Sequence, residues 1–464
     1  MDKKKQLEHP QVNQIRNRRE EVKKGNKVLA IMYVALTLVL LSALGWGMRG
    51  QISKLIHPQE EATKETFSTV NVEKAVATLT KQAAASAEQF HYDNAIKKIE
   101  KAIKYEPTNQ ELKARKTKYE KEKAQLVEFG GEVEHVFFHQ LIVDPKITFS
   151  KANEGDWQNF NSVMTTVDEF KKMMQSMYDK GYILVRFSDI YEVKEGKDGS
   201  KKVVSKPLML PQGRRPLIIS EDDTNFYEKT TLRVGGLGQK FVFDENGAVK
   251  VEYKDADGNI LVGDYDLVPV LDTFIKEHPD FSYKGAKGYI GLTGYNGVLG
   301  YRINEIHAGS QTQSDNLVAD RKMVTKIAKA LRRDGWEFAS HSYSHGNMSY
   351  QSLAEVKEDA KWWKEEVAKY VGDTDVYLFP YGDWGQYGTG TQQKLQVLLD
   401  YGFTSFNGVG LRTYNQMKDG YFFMDRCNLD GQTMYNRADY LTKFFRVKDV
   451  WDSGRPKDSS SLKY

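Results

Sequence analysis

The chain has 464 residues and a formal net charge of +4. That length is sufficient for two or more domains, and so small a net charge gives no sign of a nucleic-acid-binding surface. Cys427 is the only cysteine. A single cysteine excludes an intrachain disulfide and a cysteine-rich metal cluster, but it does not identify the redox compartment.

The amino-terminal segment predicts a membrane anchor. Residues 1–27 carry nine Lys or Arg and four acidic residues, whereas residues 28–48 contain no charge. An uncharged run of about 20 residues can span a bilayer core. The alternative is a cleaved signal peptide, which normally has a shorter apolar region and a small-residue cleavage site. Because a basic flank stays in the cytoplasm, we expect a single-pass protein of the cell membrane with a cytoplasmic tail over 1–27 and the main domain outside.

Two segments separate this anchor from the main domain. Residues 49–71 are polar and mixed in charge, and they are predicted to form a linker. Residues 72–128 are rich in Ala, Lys, Glu and Gln and resemble a tetratricopeptide-like helical hairpin, with a break at Tyr105–Asn109. One such unit cannot bury its own apolar face. It is therefore predicted to be a stalk or to pack on its neighbour, and a module that binds a protein partner is the open alternative.

Strand-like and helix-like segments alternate through the main domain, which spans residues 129–455 with a core at 210–449, and a short tail follows at 456–464. A helix over 352–371, for example, precedes an apolar strand over 376–379. Alternation of this kind indicates a mainly parallel sheet in an α/β fold. With this many units, a closed or partly closed barrel is the natural architecture.

One stretch, residues 229–264, interrupts the alternation. It contains turn sequences at Asp244–Gly247 and Asp255–Asn259 between alternating apolar residues, which predicts a β-hairpin insertion. A calcium loop at the second turn would need glycine and glutamate where the chain has Ile260 and Asp266. We therefore expect a β-turn there.

The strongest functional signal is Trp336–His345, a short apolar run that ends in two histidines, His341 and His345. Upstream, the apolar run from Leu217 ends in three acidic residues, Glu221–Asp223. Taken singly, a histidine pair or an acidic triplet is more often a packing or surface feature. Here both follow predicted strands of one α/β domain, where such folds place their active sites, and this favours a metal site.

Three motifs resemble those of the polysaccharide deacetylases of carbohydrate esterase family 4. Ser220–Thr224 stands where that family has Thr-Phe-Asp-Asp-Gly, His341–His345 matches His-Ser/Thr-x-x-His, and Leu378–Gly382 stands where it has Arg-x-Pro-Phe/Tyr-Gly. The resemblance covers about residues 134–449. It implies an α/β fold with a distorted (β/α)7 barrel, which agrees with the alternation of elements.

The resemblance also implies a role for each motif residue. Asp223, His341 and His345 would bind a divalent metal, with Zn2+ as the expected ion. Asp222 would be the general base that activates the attacking water. The backbone N–H of Tyr381 would help to form the oxyanion hole, and its ring would line the acetyl pocket. A rigid turn at Pro380–Gly382 is compatible with that role.

The chain departs from the family at two motif positions. The motif arginine, which steadies the catalytic aspartate, is Leu378 here, and the glycine after the acid pair is Thr224. Arg426 is the predicted replacement for the arginine, because it follows a late strand. Asp430, in the same segment, is a second candidate for this support.

The usual C-terminal catalytic histidine is missing, because no histidine follows His345. His139, in an apolar strand predicted over 135–143, is the candidate general acid that protonates the leaving amine. A hydrogen-bonded structural histidine is the alternative. His307 is a weaker candidate for the same role.

These patterns predict a metal-dependent hydrolase that removes N-acetyl groups from an extracellular or cell-wall polysaccharide of N-acetylglucosamine-type sugars. The alternative is a catalytically weak carbohydrate-binding or envelope scaffold protein that keeps the barrel, which the missing Arg and His favour. A third hypothesis assigns the function to residues 72–128, as a scaffold for envelope partners. Trp384 and Tyr387 are predicted either to stack on sugar rings or to pack at the barrel rim.

Overall fold

The computed structural model describes residues 60–153, 156–197, 199, 201–305, 313–410, 414–418 and 420–456, with only the backbone for residues 60–70. The predicted cytoplasmic tail and the predicted anchor over 28–48 lie outside these ranges, as does the carboxyl-terminal tail after residue 456. Within the described ranges, no helix combines the length and the apolar composition needed to cross a bilayer.

From residue 60 onward, three helices precede the barrel: α1 (Glu60–Glu88), α2 (Tyr92–Tyr105) and α3 (Gln110–Ala124). Where the sequence predicts a linker to residue 71, the chain is already helical from Glu60, because this stretch contains good helix formers and neither Gly nor Pro. The α1–α2 turn contacts the barrel domain, since the Lys284 N–H donates to the Gln89 carbonyl over 2.7 Å. The tetratricopeptide-like assignment of this segment stays a prediction.

Seven parallel strands form the barrel. They are β1 (Glu134–Phe138), β2 (Arg215–Glu221), β3 (Tyr289–Leu292), β4 (Glu337–Ser340), β5 (Val376–Leu378), β6 (Ser405–Val409) and β7 (Tyr421–Asn428). The strand order is β3-β4-β5-β6-β7-β1-β2, and pairing of β2 with β3 closes the circle. The predicted α/β barrel is therefore confirmed.

Helices cover the outside of the barrel. The longer ones are α4 (Asp156–Val163), α5 (Val167–Asp179), α6 (Leu267–Glu277), α7 (Leu317–Arg333), α8 (Leu353–Trp363), α9 (Thr391–Asp400) and α10 (Gly431–Asn436). A π-helical stretch, Lys364–Ala368, extends α8 to a last turn at Lys369–Val371. Short helices also lie at Pro145–Thr148, Phe187–Ile190, Thr231–Val234, Ala438–Leu441 and Val447–Val450.

The remaining strands lie outside the barrel circle. The predicted hairpin insertion is a three-stranded antiparallel sheet of Gly238–Phe243, Val249–Lys254 and Ile260–Gly263. The polar stretch before Lys206 forms an antiparallel pair, Tyr191–Glu195 with Lys201–Ser205. Tyr182–Leu184 pairs with the start of β2, and Asn415–Lys418 pairs with β7. Val127–Glu128 pairs with Met209–Leu210.

The two faces of β2 explain how the barrel core and the site are connected. Leu217 and Ile219 pack in the large cluster that contains the helix side chains, whereas Ile218 packs with the smaller cluster of barrel residues such as Leu378 and Met424. This is the two-residue alternation of a strand. Continued past the strand end, it directs Asp222 toward the barrel interior and Glu221 toward the helices.

Candidate active site

A pocket of about 660 Å³ opens at the carboxyl ends of strands β1, β2, β4, β5 and β7. These strands come from parts of the chain that are far apart in sequence, and the closed barrel brings their ends together. The pocket lining includes the predicted metal ligands Asp223, His341 and His345 and the predicted catalytic residues His139, Asp222, Tyr381 and Arg426.

Asp223, His341 and His345 form a cluster of potential metal ligands, with one ligand atom of each within 4.8 Å of the others. The Asp223 carboxylate lies 3.9 Å from His341 Nε2 and 3.7 Å from His345 Nε2. Ligand atoms around a tetrahedral Zn2+ lie about 3.3–3.6 Å from one another. The donor set and its spacing therefore fit a divalent metal of this kind, with a small contraction on binding.

The first imidazole is oriented for metal binding. His341 Nδ1 lies 2.8 Å from the Leu378 carbonyl oxygen, which can only accept a hydrogen bond. The proton of the neutral ring is therefore on Nδ1, and Nε2 keeps its lone pair toward Asp223. Burial lowers the pKa of His341, which favours the neutral form that a ligand must have.

The histidine loop is held by one buried carboxylate, Asp359 on α8, which is 4% exposed. Asp359 accepts hydrogen bonds from the Ser342 hydroxyl, from the Tyr343 N–H and from both the N–H and the hydroxyl of Ser344. These bonds stabilise a turn in which Ser342 has a φ of 61° and His345 a φ of 54°. That turn brings the second imidazole back toward the first, so that the ring centroids are 4.9 Å apart.

Asp223 reaches the cluster because its backbone leaves the strand alternation, with a φ of 60°. Its Oδ1 accepts a hydrogen bond of 2.5 Å from the Tyr227 hydroxyl, which also lies 2.8 Å from Thr293 Oγ1. Burial by itself would raise the pKa of Asp223, but the imidazoles of His345 and His341 outweigh it and lower the pKa. The carboxylate is thus both oriented and kept ionised.

Backbone strain is concentrated at this site. Of the eight non-glycine residues with positive φ in the described ranges, four line or flank the pocket: Asp223, Ser342, His345 and Tyr381. Each such conformation costs on the order of 1–3 kcal/mol and persists only where surrounding contacts hold it. Such a concentration is typical of functional sites.

Asp222 is buried beside the ligand cluster and is paired with Arg426. The guanidinium donates to Asp222 Oδ1 over 2.7 Å, and both side chains are almost fully buried. Burial pushes the pKa of Asp222 upward, but the charge of Arg426 and the neighbouring His341 reverse this effect and hold the pKa below its ordinary value. Arg426 thus contacts the same carboxylate that the motif arginine supports in the family.

His139 lies one residue beyond β1, which ends at Phe138 and not at residue 143 as the sequence predicts. Its Nδ1 lies 2.9 Å from the Val163 carbonyl oxygen at the end of α4. It lines the same pocket as Asp222 and Asp430, and burial raises the pKa of Asp430. The register of β1 and β2 explains this position, because Phe138 pairs with Glu221 and the next residue of each strand leaves at the same edge.

Asp430 was a candidate support for Asp222, but its hydrogen bonds are with other residues. It caps α10 by accepting the Thr433 N–H over 2.7 Å, and it accepts a second bond from the Asn428 amide. It lines the pocket on the side of His139. The weaker candidate His307 lies outside the described residues.

Tyr381 lies at the tip of a tight turn, Pro380–Gly382, with a φ of 59°. Its ring makes an edge contact with His345, with centroids 4.7 Å apart, and the residue is 70% exposed. Glycine is required at 382, since φ is +68° and an added Cβ would lie 2.4 Å from Val409 Cβ. The turn therefore holds the Tyr381 peptide at the pocket wall.

Three residues that support this site were not predicted from the sequence. Tyr227 and Asp359 are described above, and Asp266 is buried next to Glu221 behind the acid pair. Burial, followed by the adjacent Asp266 carboxyl, raises the pKa of Glu221 well above its ordinary value, and burial raises the pKa of Asp266 to about 6. The sequence signal for Asp266 is a helix-capping pattern before α6. Tyr227 and Asp359 have no comparable signal in the sequence.

Residues 304–405 match the family model described as polysaccharide deacetylase. This segment contains His341, His345 and Tyr381, whereas Asp222 and Arg426 lie outside it. The match therefore covers the part of the pocket that is formed by β4 and β5. No curated protein matches the chain.

Two solved structures are similar to the chain at low identity. One is the Streptococcus pyogenes deacetylase PplD in complex with acetate, with 13% identity and a TM-score of 0.37 over 69% of this chain and 99% of that chain. The other is a CE4 family pseudoenzyme from Bacillus anthracis, with 13% identity and a TM-score of 0.21 over 39% of this chain and 56% of that chain.

Proposed function

We propose that this protein is a metal-dependent N-deacetylase that hydrolyses acetamido groups on an extracellular or cell-wall polysaccharide of N-acetylglucosamine-type sugars. The match of residues 304–405 to the polysaccharide deacetylases supports the reaction class. In this proposal, residues 28–48 anchor the protein in the cell membrane and the barrel lies on the outer side. The uncharged run and its basic flank support that part.

One observation carries the proposal. A cluster of two imidazoles and a carboxylate lies beside a second carboxylate, Asp222, which is held by Arg426. All these groups line one pocket of about 660 Å³, a volume within the range of small-molecule sites. Such a combination serves hydrolysis, which needs an activated water, a proton acceptor and stabilisation of the developing charge.

The metal that best suits Asp223, His341 and His345 is Zn2+. When bound, it supplies a Lewis acid for the acetyl oxygen and lowers the pKa of water. The chain's own contribution is orientation, because Leu378 and Tyr227 each hydrogen-bond one of these three side chains. Interactions of this kind typically change metal affinity by about 10–100-fold.

Asp222 accepts the proton of the attacking water in this mechanism. It is ionised at neutral pH, because Arg426 and His341 outweigh the effect of burial on its pKa. Arg426 also occupies Oδ1, so the other carboxylate oxygen is the one that takes the proton. The peptide N–H of Tyr381 donates to the oxyanion that forms when the water oxygen bonds to the acetyl carbon.

His139 gives a proton to the leaving amine as the C–N bond breaks. Its Nδ1–H donates to the Val163 carbonyl, so Nε2 is the atom that carries the transferable proton in the imidazolium form. The amine gains this proton, and the acyl carbon keeps the hydroxyl of the water. Acetic acid, which ionises to acetate, and a free amino sugar are the products, and transfer of the proton from Asp222 to His139 restores both groups before the next cycle.

The test is acetate release by the purified full-length protein from N-acetylated peptidoglycan and from chitin oligomers. We expect Asp222→Asn to lower the rate by about 10²–10⁴-fold, and removal of metal by a chelator to abolish release until Zn2+ is restored. Asp257→Asn is the matched control, because Asp257 is exposed in the insertion. This control should keep the full rate.

The results would separate the proposal from its alternative. Equal release by the wild type and Asp222→Asn, with both folded and loaded with metal, would refute the mechanism. No release from any N-acetylated glycan by a folded protein that binds Zn2+ would refute the activity and favour a carbohydrate-binding protein.

A further inference from the structure

Arg455 is a buried arginine that does not line the pocket. It follows the short helix Val447–Val450. Its Nε and Nη2 donate to the two carboxylate oxygens of Glu169 over 2.8 and 2.7 Å. Nη1 donates to the backbone and side-chain oxygens of Asn161 over 2.7 and 3.0 Å, and Nη2 also donates to the Met164 carbonyl over 2.8 Å. A guanidinium has five N–H donors in a fixed planar geometry, so all five are used and the side chain has one position.

Two of these acceptors are backbone carbonyls at the end of α4. Carbonyls at the end of a helix lack partners within the helix, and here groups from other parts of the chain supply them. Arg455 donates to the carbonyls of Asn161 and Met164. His139 Nδ1 lies 2.9 Å from the carbonyl oxygen of Val163, which is between them in sequence. The peptide that holds the imidazole is therefore flanked by two carbonyls that the guanidinium holds.

Glu169 fixes the guanidinium from the opposite side. It is fully buried, and its two oxygens form a bidentate pair with Arg455, which is a strong and directional arrangement. The same carboxylate accepts the Thr166 N–H over 2.9 Å at the start of α5 and the Asp452 N–H over 3.0 Å. The end of α4, the start of α5 and the carboxyl-terminal part of the domain are thus joined at one buried point.

This buried point lies directly behind the pocket wall. Phe160 and Val163 of α4 line the pocket. On another side, α10 begins in close contact with the same carbonyls: a Cβ added at Gly431 would lie 1.9 Å from the Asn161 carbonyl oxygen and 2.4 Å from Arg455 Nη1. The end of α4 is therefore confined by α10 and by the guanidinium, and removal of the guanidinium opens space beside the wall.

We propose that Arg455 is a positioning residue for the general acid. It fixes the end of α4, the Val163 carbonyl then fixes the Nδ1 side of the His139 ring, and Nε2 is left for the leaving amine. The inference rests on the proposed function for the role of His139. Because a shift of about 1 Å in a catalytic group can cost about 100-fold in rate, Arg455 should affect kcat although it does not touch the substrate.

The first experiment measures kcat and KM for acetate release from the N-acetylglucosamine hexamer by the full-length, Zn2+-loaded protein. Arg455→Met alone leaves the buried Glu169 carboxylate without its cation, which destabilises a protein strongly. The test variant is therefore Arg455→Met/Glu169→Gln, in which no buried charge is unpaired, and denaturant unfolding checks its fold. We expect kcat to fall by about 10–100-fold with unchanged Zn2+ content, because the general acid is displaced.

A double-mutant cycle shows whether the effect passes through His139. The same pair of substitutions is introduced into His139→Gln, where no imidazole remains to be positioned. We expect no further fall in kcat in this background, because residues that act through one group are not additive. A general loosening of the pocket would lower kcat in both backgrounds by the same factor.

Lys443→Met/Glu134→Gln is the matched control. This ion pair also joins the carboxyl-terminal part of the domain to the barrel, with Lys443 Nζ 2.8 and 2.9 Å from the Glu134 oxygens. It lies at the start of β1, the end of the strand away from the pocket. The control should keep the wild-type kcat.

A second measurement does not depend on catalysis. Selective 15N labelling of histidine reports the Nδ1–H signal of His139, which is assigned by its absence from His139→Gln. The hydrogen bond to Val163 protects this proton from exchange with water. We expect the signal to shift or broaden in Arg455→Met/Glu169→Gln and to stay unchanged in Lys443→Met/Glu134→Gln.

The outcomes separate this inference from the proposed activity. If the wild type releases acetate but the Arg455 variant keeps its kcat or its His139 signal, the positioning role is refuted and the activity stands. An equal fall in kcat in the His139 and His139→Gln backgrounds also refutes the positioning role. If the wild type releases no acetate and the Arg455 variant loses the signal, the activity is refuted, whereas the control of the His139 ring by Arg455 stands.

Discussion

On the side of the pocket formed by β4 and β5, the functional side chains are held by groups that are close in sequence. The bonds from Asp359 to the histidine loop join residues 15 to 17 positions apart. On the side formed by β1, β2 and β7, Tyr227 holds Asp223 from four positions away, but the support of Asp222 comes from a distant segment. The bond between Arg426 and Asp222 spans 204 positions.

This difference affects which parts of the site can be recognised from the sequence. A local loop depends on a short stretch of sequence, so its pattern stays recognisable, and the match to polysaccharide deacetylases falls on residues 304–405. A long-range contact needs only that some side chain reach the same point in space. The motif arginine is replaced by Leu378, yet Arg426 from β7 contacts Asp222. The loss of a residue from a motif position is therefore weak evidence that its chemical group is missing from the site.

The largest loss of stability should come from a substitution at Arg426, on the side of the pocket formed by β1, β2 and β7, which we call the long-range side. Arg426→Met leaves the buried Asp222 carboxylate without its cation, and we expect it to lower the free energy of unfolding by about 3–5 kcal/mol. The pKa of Asp222 should rise, because burial is then opposed mainly by His341. Denaturant unfolding measures the stability, and acetate release measures the loss of the ionised base.

The double variant Arg426→Met/Asp222→Asn tests the cause. It should recover much of the lost stability, because no buried charge remains unpaired. Arg446→Met is the matched control: its ion pair with Asp449 is exposed, and such pairs contribute about 0–1 kcal/mol. A double variant that is as unstable as Arg426→Met would show that packing, and not charge pairing, holds this side together.

On the side formed by β4 and β5, which we call the local side, Asp359→Asn should weaken metal binding. An amide offers one acceptor oxygen where the carboxylate serves donors from Ser342, Tyr343 and Ser344, so the strained histidine turn should relax. We expect the affinity for Zn2+ to fall by about 10–100-fold, as measured by competition with a chelator of known affinity.

Glu358→Gln is the control for this substitution, because Glu358 is an exposed neighbour on the same helix. It should bind Zn2+ as the wild type does. If Asp359→Asn also keeps wild-type affinity, the histidine loop does not depend on its local carboxylate, and the contrast between the two sides fails.

The buried carboxyl groups of Glu221 and Asp266, behind β2, should make the stability of the protein depend on pH. Both pKa values are raised in the folded protein, so the folded state binds more protons than the unfolded state above about pH 4. Stability should therefore fall as pH rises from about 5 to 7, by up to about 1.4 kcal/mol per pH unit for each proton retained. Glu221→Gln should flatten this slope in denaturant titrations.

Glu245→Gln serves as the control for the pH experiment, since Glu245 is exposed in the insertion. It should keep the wild-type slope. Equal slopes for Glu221→Gln and the wild type would mean that the two buried carboxyl groups do not retain a proton together.

The smallest effect concerns Cys427, the neighbour of Arg426 on β7. Burial raises the pKa of its thiol to about 12, so on the order of one thiol in ten thousand is ionised at about pH 8. We expect almost no reaction with iodoacetamide in the native protein and full labelling after denaturation, as measured by mass spectrometry. Rapid native labelling would show that β7 opens and that the long-range side is mobile.

Much of the fold and of the ligand set could be predicted because both depend on local patterns. Apolar runs identify the strands, and a strand end predicts where Asp223, His341 and His345 lie. Boundaries were less predictable. β1 ends at Phe138, before the apolar run is finished, because the next residues pair with other segments, such as Ile142 with Thr166.

The sequence by itself determined the alternation of strands and helices and the residue types that end β2 and β4, since these depend on period and composition over a few neighbouring residues. The tertiary structure decided which of the three adjacent acids face the pocket, through strand alternation and the positive φ of Asp223. It also decided that Arg426 contacts Asp222 and that His139 lies near both carboxylates. These contacts follow from barrel closure and strand register, which depend on pairing between segments far apart in sequence and leave no local pattern in the chain.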